Sequence, residues 1–260
     1  MTNQHGDFIW YELMTTEADA AAAFYGAVLG WQARPAEGSV RGYNIFGIGG
    51  ADVGGLMTIP PEDCDTGMQP GWLGYVAVGD VDAAAAEILD AGGRQYVPPT
   101  DIPGVGRFAL VADPQGVPFY VMRGAMDGTS TSFSQEKTGH CHWNELATSD
   151  PAAALAFYGA RFGWEKGDAM PMGEMGDYQF ITHHGTTIGA VMKRMPGGPR
   201  PAWTFYFGVE DIDKAASAVS GSGGTIHYGP AEVPGGAFII VASDPQGAMF
   251  GAVGPRKVQA

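Results

Sequence analysis

Positive charge is scarce in this chain. Fourteen lysines and arginines stand against 28 aspartates and glutamates, a net charge of −14. A surface that grips nucleic acid needs clustered basic side chains to neutralise phosphates, and here they are scattered, so no nucleic-acid partner is expected. The acidic balance keeps the protein soluble and favours a cationic ligand over an anionic one. Cysteine is also scarce. Cys64 and Cys141 fit no metal or redox spacing and read as reduced thiols of a cytosolic, cytoplasmic protein. No apolar run approaches the roughly 20 residues that span a bilayer. The opening MTNQHGDF lacks the basic-then-apolar pattern of a secretory signal. No membrane partner is therefore expected.

Glycine, by contrast, is abundant: 41 residues, which implies many tight turns. The chain also repeats itself. Trp10-Tyr-Glu-Leu13 followed by Phe24-Tyr-Gly-Ala-Val-Leu-Gly-Trp31 returns as Trp143-Asn-Glu-Leu146 and Phe157-Tyr-Gly-Ala-Arg-Phe-Gly-Trp164. The offset is 133 for both pieces. Further pairs run through both halves at nearly the same offset: Tyr43 with Tyr178, Trp72 with Trp203, Tyr75 with Tyr206. This marks a tandem duplication.

Within each copy the pattern is strand, helix, strands, twice over. Residues 8–14 alternate as a strand. Thr15 or Thr16 is the expected cap of an alanine-rich helix ending at Gly30. Asp80 caps a second helix over 81–91. Asp113-Pro-Gln-Gly116 turns into the last strand. The second copy runs from His140 through a helix at 151–162, capped by Ser149 or Asp150, to Asp244-Pro-Gln-Gly247 and a final strand. The polar stretch 125–138 reads as a linker.

The Phe-Tyr pair in the first helix, Gly-Trp after it, Asp-Val-Asp or Asp-Ile-Asp opening the second helix, and Asp-Pro-x-Gly before the last strand together resemble the vicinal oxygen chelate superfamily. That superfamily includes glyoxalase I, extradiol dioxygenases and the fosfomycin- and bleomycin-resistance proteins. The resemblance implies an α+β fold of two tandem domains, 6–124 and 139–255. Each would build two βαβββ modules into an open eight-stranded cup, with helices outside and a ligand inside.

Metal-dependent members of that superfamily carry a His, Glu or Gln at three strand positions per cup. The matching positions here hold Trp10, Leu73 and Tyr120 in one copy and Trp143, Thr204 and Gly251 in the other. None is an ordinary divalent-metal ligand. No catalytic metal and no cofactor are therefore expected. Of the histidines, His140 and His142 share a strand face and read as an exposed strand end after the linker. His183-His184 sits at a turn where the first copy has Ile48-Gly49, and adjacent strand residues point apart, a poor geometry for chelation.

What remains for a cup is aromatic, with one carboxylate. Trp10, Tyr75, Tyr120, Trp143, Thr204 and Tyr206 are the expected ligand-binding residues, suited to stacking on a flat or cationic molecule. Glu12 and Glu145, two residues beyond the tryptophans, are candidate general bases or counter-ions. The leading expectation is a binder of a small organic molecule, aromatic or cationic, acting as a monomer or homodimer. A metal-dependent lyase or dioxygenase, and a metal-free lyase or isomerase, are the alternatives.

Overall fold

The computed structural model describes residues 2–38, 42–62, 68–195 and 197–257. Cys64 and Pro196 lie outside the described residues. The first copy contains β1 (Phe8–Thr15), α1 (Ala18–Leu29), β2 (Gln32–Pro35), β3 (Asn44–Ile48), β4 (Ala51–Thr58), β5 (Gly71–Ala77), α2 (Val81–Asp90), β6 (Arg94–Ile102), β7 (Gly106–Ala112) and β8 (Pro118–Gly124). The second contains β9 (Cys141–Thr148), α3 (Pro151–Phe162), β10 (Glu165–Pro171), β11 (Asp177–His183), β12 (Thr186–Lys193), β13 (Ala202–Gly208), α4 (Ile212–Gly221), β14 (Thr225–Glu232), β15 (Phe238–Ser243) and β16 (Met249–Gly254). The fold is α+β. Two mixed eight-stranded sheets run β2-β3-β4-β1-β5-β8-β7-β6 and β10-β11-β12-β9-β13-β16-β15-β14, and neither closes on itself.

Strands β2 and β10 escape a pattern-based reading because every residue of β2, and most of β10, is exposed. An edge strand with no buried face carries no alternation of apolar side chains. The expected threonine cap of α1 is also corrected. Glu17 occupies the cap without a side-chain bond, and Thr15 Oγ1 accepts from the Glu17 N–H at 3.4 Å instead. The other starts follow their side chains: Asp80 accepts from Ala83 N, and Asp150 from Ala153 N, both at 3.0 Å. Gly30 and Gly163 end α1 and α3 in the left-handed region, φ 74° and 70°, which costs a glycine nothing.

The chain packs as two compact units. Unit one comprises Met1–Ile9, Leu73–Ser130 and Trp143–Trp203; unit two comprises Trp10–Trp72, Thr131–His142 and Thr204–Ala260. Each unit buries an aromatic core. In unit two, Tyr25, Trp31, Phe46, Trp72, Phe207 and Phe250 contact one another with ring centroids 4.9–6.2 Å apart. Unit one repeats this with Phe119, Tyr158, Phe162, Trp164 and Trp203. Such pairs contribute about 0.5–1.5 kcal/mol each beyond area burial.

The repeated motifs meet inside these cores. In unit two the Tyr25 hydroxyl donates to Asp244 Oδ2 at 3.2 Å and accepts from Trp72 Nε1 at 2.9 Å. In unit one the Tyr158 hydroxyl donates to Asp113 Oδ2 at 3.1 Å and accepts from Trp203 Nε1 at 3.3 Å. The other oxygen of each aspartate holds its own turn: Asp113 Oδ1 accepts from Gln115 N and Val117 N, and Asp244 Oδ1 from Gln246 N and Ala248 N, all at 2.9–3.0 Å. Burial raises the pKa of both carboxyls, and the backbone donors oppose it. Burial also lifts both tyrosine hydroxyls well above their ordinary range.

His140 corrects the expectation of an exposed strand end. It is 3 % exposed, and its Nδ1 meets the Thr131 carbonyl. His142 is half-buried, with Nε2 2.9 Å from the Lys137 carbonyl and its ring over Gly208, where a Cβ would lie 2.1 Å from that nitrogen. Burial lowers its pKa.

Candidate functional site

The candidate side chains divide between the units. Unit one holds Tyr75, Tyr120, Trp143 and Glu145; unit two holds Trp10, Glu12, Thr204 and Tyr206.

In unit one, β9 and β12 run parallel with Glu145 opposite Ala190, and β11 lies antiparallel on β12. This brings Tyr178, from the start of β11, to the two candidates on β9. Trp143 Nε1 donates to the Tyr178 hydroxyl at 2.8 Å, and that hydroxyl donates to Glu145 Oε2 at 2.7 Å. The second distance is that of a well-formed O–H···O hydrogen bond. Phe180 stands edge-on to both rings, with centroids 5.8 Å from Trp143 and from Tyr178. All four side chains are half-buried. On the other sheet of this unit, Tyr75 and Tyr120 are register partners on parallel β5 and β8. Their rings stack at 4.1 Å and 16°, and Phe108 leans on Tyr120.

Unit two repeats the first bond: Trp10 Nε1 donates to the Tyr43 hydroxyl at 2.9 Å. Glu12 is 3 % exposed and lies opposite Gly55. A Cβ on Gly55 would sit 1.8 Å from the Tyr43 hydroxyl, so that ring closes onto bare backbone. Tyr206, 4 % exposed, is the register partner of Gly251 on β16. Its ring lies across that glycine, where a Cβ would come within 2.2 Å of it. Thr204 is half-buried, and among the described residues no hydrogen bond joins it to another candidate.

Tyr43 and Tyr178 were visible in the sequence as a matched pair, and that pairing beside Trp10 and Trp143 was the signal for them. Phe108 and Phe180 gave none, because a lone apolar strand residue does not announce which ring it meets.

The His183-His184 turn departs from the sequence expectation. His184 takes φ 49°, so the strand alternation that would part the two rings ends there, and their centroids lie 3.9 Å apart. Ligand atoms of Asp7, His183 and His184 all fall within 4.8 Å of one another. Burial lowers the His183 pKa, and the His184 charge adds to the effect. Elsewhere in unit one, a depression of about 290 Å³ lined by His5, Asp80, Glu87, Arg161 and Phe162 contains none of the expected ligand-binding residues.

Residues 137–251 match the Glyoxalase/Bleomycin resistance protein/Dioxygenase superfamily, and residues 10–122 match the Glyoxalase-like domain. The chain belongs to this superfamily. Among its relatives are the putative glyoxylase CFP32 of Mycobacterium tuberculosis, 33 % identical with 96 % of this chain and 95 % of the relative covered, and the anthracycline biosynthesis protein DnrV of Streptomyces peucetius, 31 % identical with 95 % and 93 % covered. Similar solved structures include a Mn(II)-bound glyoxalase from Novosphingobium aromaticivorans, TM-score 0.65 at 18 % identity, covering 97 % of this chain and 83 % of that one. A 2,2',3-trihydroxybiphenyl 1,2-dioxygenase from Sphingomonas wittichii gives 0.69 at 14 % identity, covering 98 % and 92 %. At those identities the likeness is one of fold.

A metal at the superfamily's ligand positions does not fit the residues found there. Trp10 and Trp143 present indole N–H groups already spent on tyrosine hydroxyls. Tyr120 is stacked on Tyr75, and Gly251 has a ring where a side chain would begin. Leu73 has no donor atom, and a threonine hydroxyl is a poor ligand by itself.

Proposed function

We propose that this superfamily member binds a small, flat aromatic molecule, without a metal at the superfamily's ligand positions, on the face of unit one that carries Trp143, Tyr178, Phe180 and Glu145. The observation that carries this reading is the Trp143–Tyr178–Glu145 hydrogen-bond chain, which fixes three rotamers before a ligand arrives. The rings supply stacking area, and Glu145 supplies one negative charge for a hydroxyl or ammonium group on the ligand. The kinship with an anthracycline biosynthesis protein supports the same chemistry, anthracyclines being fused-ring aromatics.

The test is a titration of purified protein with an anthracycline, its aglycone and a simple naphthol, read by tryptophan fluorescence and calorimetry. Trp143→Ala is expected to weaken binding about 10-fold, the loss of one stacking contact of ~1–2 kcal/mol. Glu145→Gln is expected to weaken the aminated compound more than the aglycone. Absence of binding by all three compounds sinks the reading. A second reading, a metal-free lyase or isomerase with Glu12 or Glu145 as base, is favoured by the burial of Glu12. It requires conversion of a bound compound that stops on Glu→Gln exchange.

A further inference from the structure

We propose that Asp7, His183 and His184 form a binding site for a late first-row divalent cation, zinc foremost, away from the superfamily's ligand positions. Two imidazoles and one carboxylate are the borderline donor set that such cations select. One pair already stands at coordination spacing. Asp7 Oδ1 lies 3.5 Å from His183 Nε2, and tetrahedral zinc with bonds of about 2.0–2.1 Å holds its donors about 3.3 Å apart. The third donor needs only a small adjustment, since all three lie within 4.8 Å of one another and His184 is exposed and able to turn.

The surroundings prepare the site. Asp7 Oδ2 accepts from Gln4 N at 2.7 Å, which orients the carboxylate and leaves Oδ1 toward the histidine. His183 Nε2 donates to the His5 carbonyl at 3.1 Å, so a cation bound there displaces that proton and leaves the carbonyl as a further oxygen beside it. Gly6, at φ 94°, lets the His183 ring lie against the chain, where a Cβ would come within 2.8 Å of it. His183 itself is 6 % exposed, and among the described residues its buried Nδ1 has no hydrogen-bond partner.

The duplication provides an internal control. The corresponding corner of the first copy reads Ile48-Gly49, and the position matching Asp7 is His140. There Ile48 packs on Gly139 where His183 packs on Gly6, and Gly49 occupies the same left-handed turn, φ 58°, that His184 occupies at φ 49°. The scaffold therefore needs neither histidine, and a glycine would hold this turn at lower cost. The site also lies apart from the proposed aromatic site: His183 is five residues along β11 from Tyr178, about 16 Å of strand.

The test is a titration of the full-length chain, free of any histidine tag, with Zn²⁺ by calorimetry and with Co²⁺ by visible absorption. The wild type is expected to bind one equivalent and to show the intense visible bands of four-coordinate cobalt. His184→Ala and Asp7→Asn, both at accessible side chains, are each expected to weaken binding about 10-fold or more while leaving the melting curve of the metal-free protein in place. Failure of the wild type to bind either ion overturns the proposal. So does binding that survives either substitution within twofold. Ligand binding at Trp143 and Glu145 uses other residues and is read by fluorescence, so either result stands without the other.

Discussion

The two units solve the same packing problem with the same atoms and then part company around them. In both cores a tyrosine hydroxyl sits between a tryptophan N–H and the aspartate of the Asp-Pro-Gln-Gly turn: Tyr158, Trp203 and Asp113 in one, Tyr25, Trp72 and Asp244 in the other. Beyond these networks, matched positions differ. Tyr120 stacks on Tyr75, whereas Gly251 yields its place to the Tyr206 ring. Ala190 lies opposite Glu145, whereas Gly55 lies opposite Glu12. His183 and His184 stand where the first copy has Ile48 and Gly49. Duplication has kept the core network together with the tryptophan, tyrosine and glutamate of the candidate site, and has varied the residues around them, the two histidines included.

The largest expected effect tests the shared part. Asp113→Ala and Asp244→Ala each strand two backbone N–H groups and one tyrosine hydroxyl in a buried place. A loss of about 3 kcal/mol or more is expected from either, read as a shift of the urea midpoint. Asp→Asn keeps one carbonyl acceptor for the turn and is expected to cost roughly half as much. Equal losses in the two units confirm equivalence; a difference beyond about 1 kcal/mol breaks it.

That network also shows where a sequence stops being legible. The strands of the buried core, the four helices α1 to α4 of the described residues and the turns were readable, because period-two alternation, alanine content and Asp-Pro-x-Gly are local signals. The turn aspartate was readable as a turn former through Oδ1. Its second oxygen meets a tyrosine 45 positions away in unit one and 219 away in unit two, and no local spacing encodes that. At the candidate site, the matched Trp10 and Trp143, and Glu12 and Glu145, stood out by repetition. The Tyr178–Glu145 bond did not, because it depends on the register of β11 on β12. The closeness of the His183 and His184 rings was not legible for a related reason. Alternation holds only while the strand lasts, and here it ends at a left-handed turn.

A smaller effect sharpens the comparison of Gly55 with Ala190. Gly55→Ala gives unit two the side chain that unit one already carries at Ala190. The new Cβ collides with the Tyr43 hydroxyl, which is the far end of a half-buried side chain and can move. The Trp10–Tyr43 hydrogen bond is expected to break, at a cost of about 1 kcal/mol, with a red shift of tryptophan emission. An unchanged spectrum together with unchanged stability refutes the idea that Gly55 sets the position of Tyr43.

The smallest effect concerns pH. His142 of unit two matches Ile9 of unit one, and opposite them Gly208 matches Ala77. Burial lowers the folded-state pKa of His142, and the neighbouring His140 adds to this while the Lys137 carbonyl opposes it. A base whose pKa is lowered on folding takes up fewer protons folded than unfolded. Its stabilising contribution is therefore complete above the unfolded pKa of about 6.5 and is lost as pH falls toward the folded value. His142→Ile installs the twin's side chain and removes this titration, so the fall in Tm between neutral and mildly acidic pH is expected to be shallower than in the wild type. The raised pKa values of Asp113 and Asp244 cannot mimic that result. Their protonation favours the folded state, so the stability linked to them is present below the unfolded carboxylate pKa and is lost as pH rises through the folded one. The two effects have opposite sign along the pH axis. A Tm profile unchanged by His142→Ile would show that burial of this imidazole carries no measurable weight.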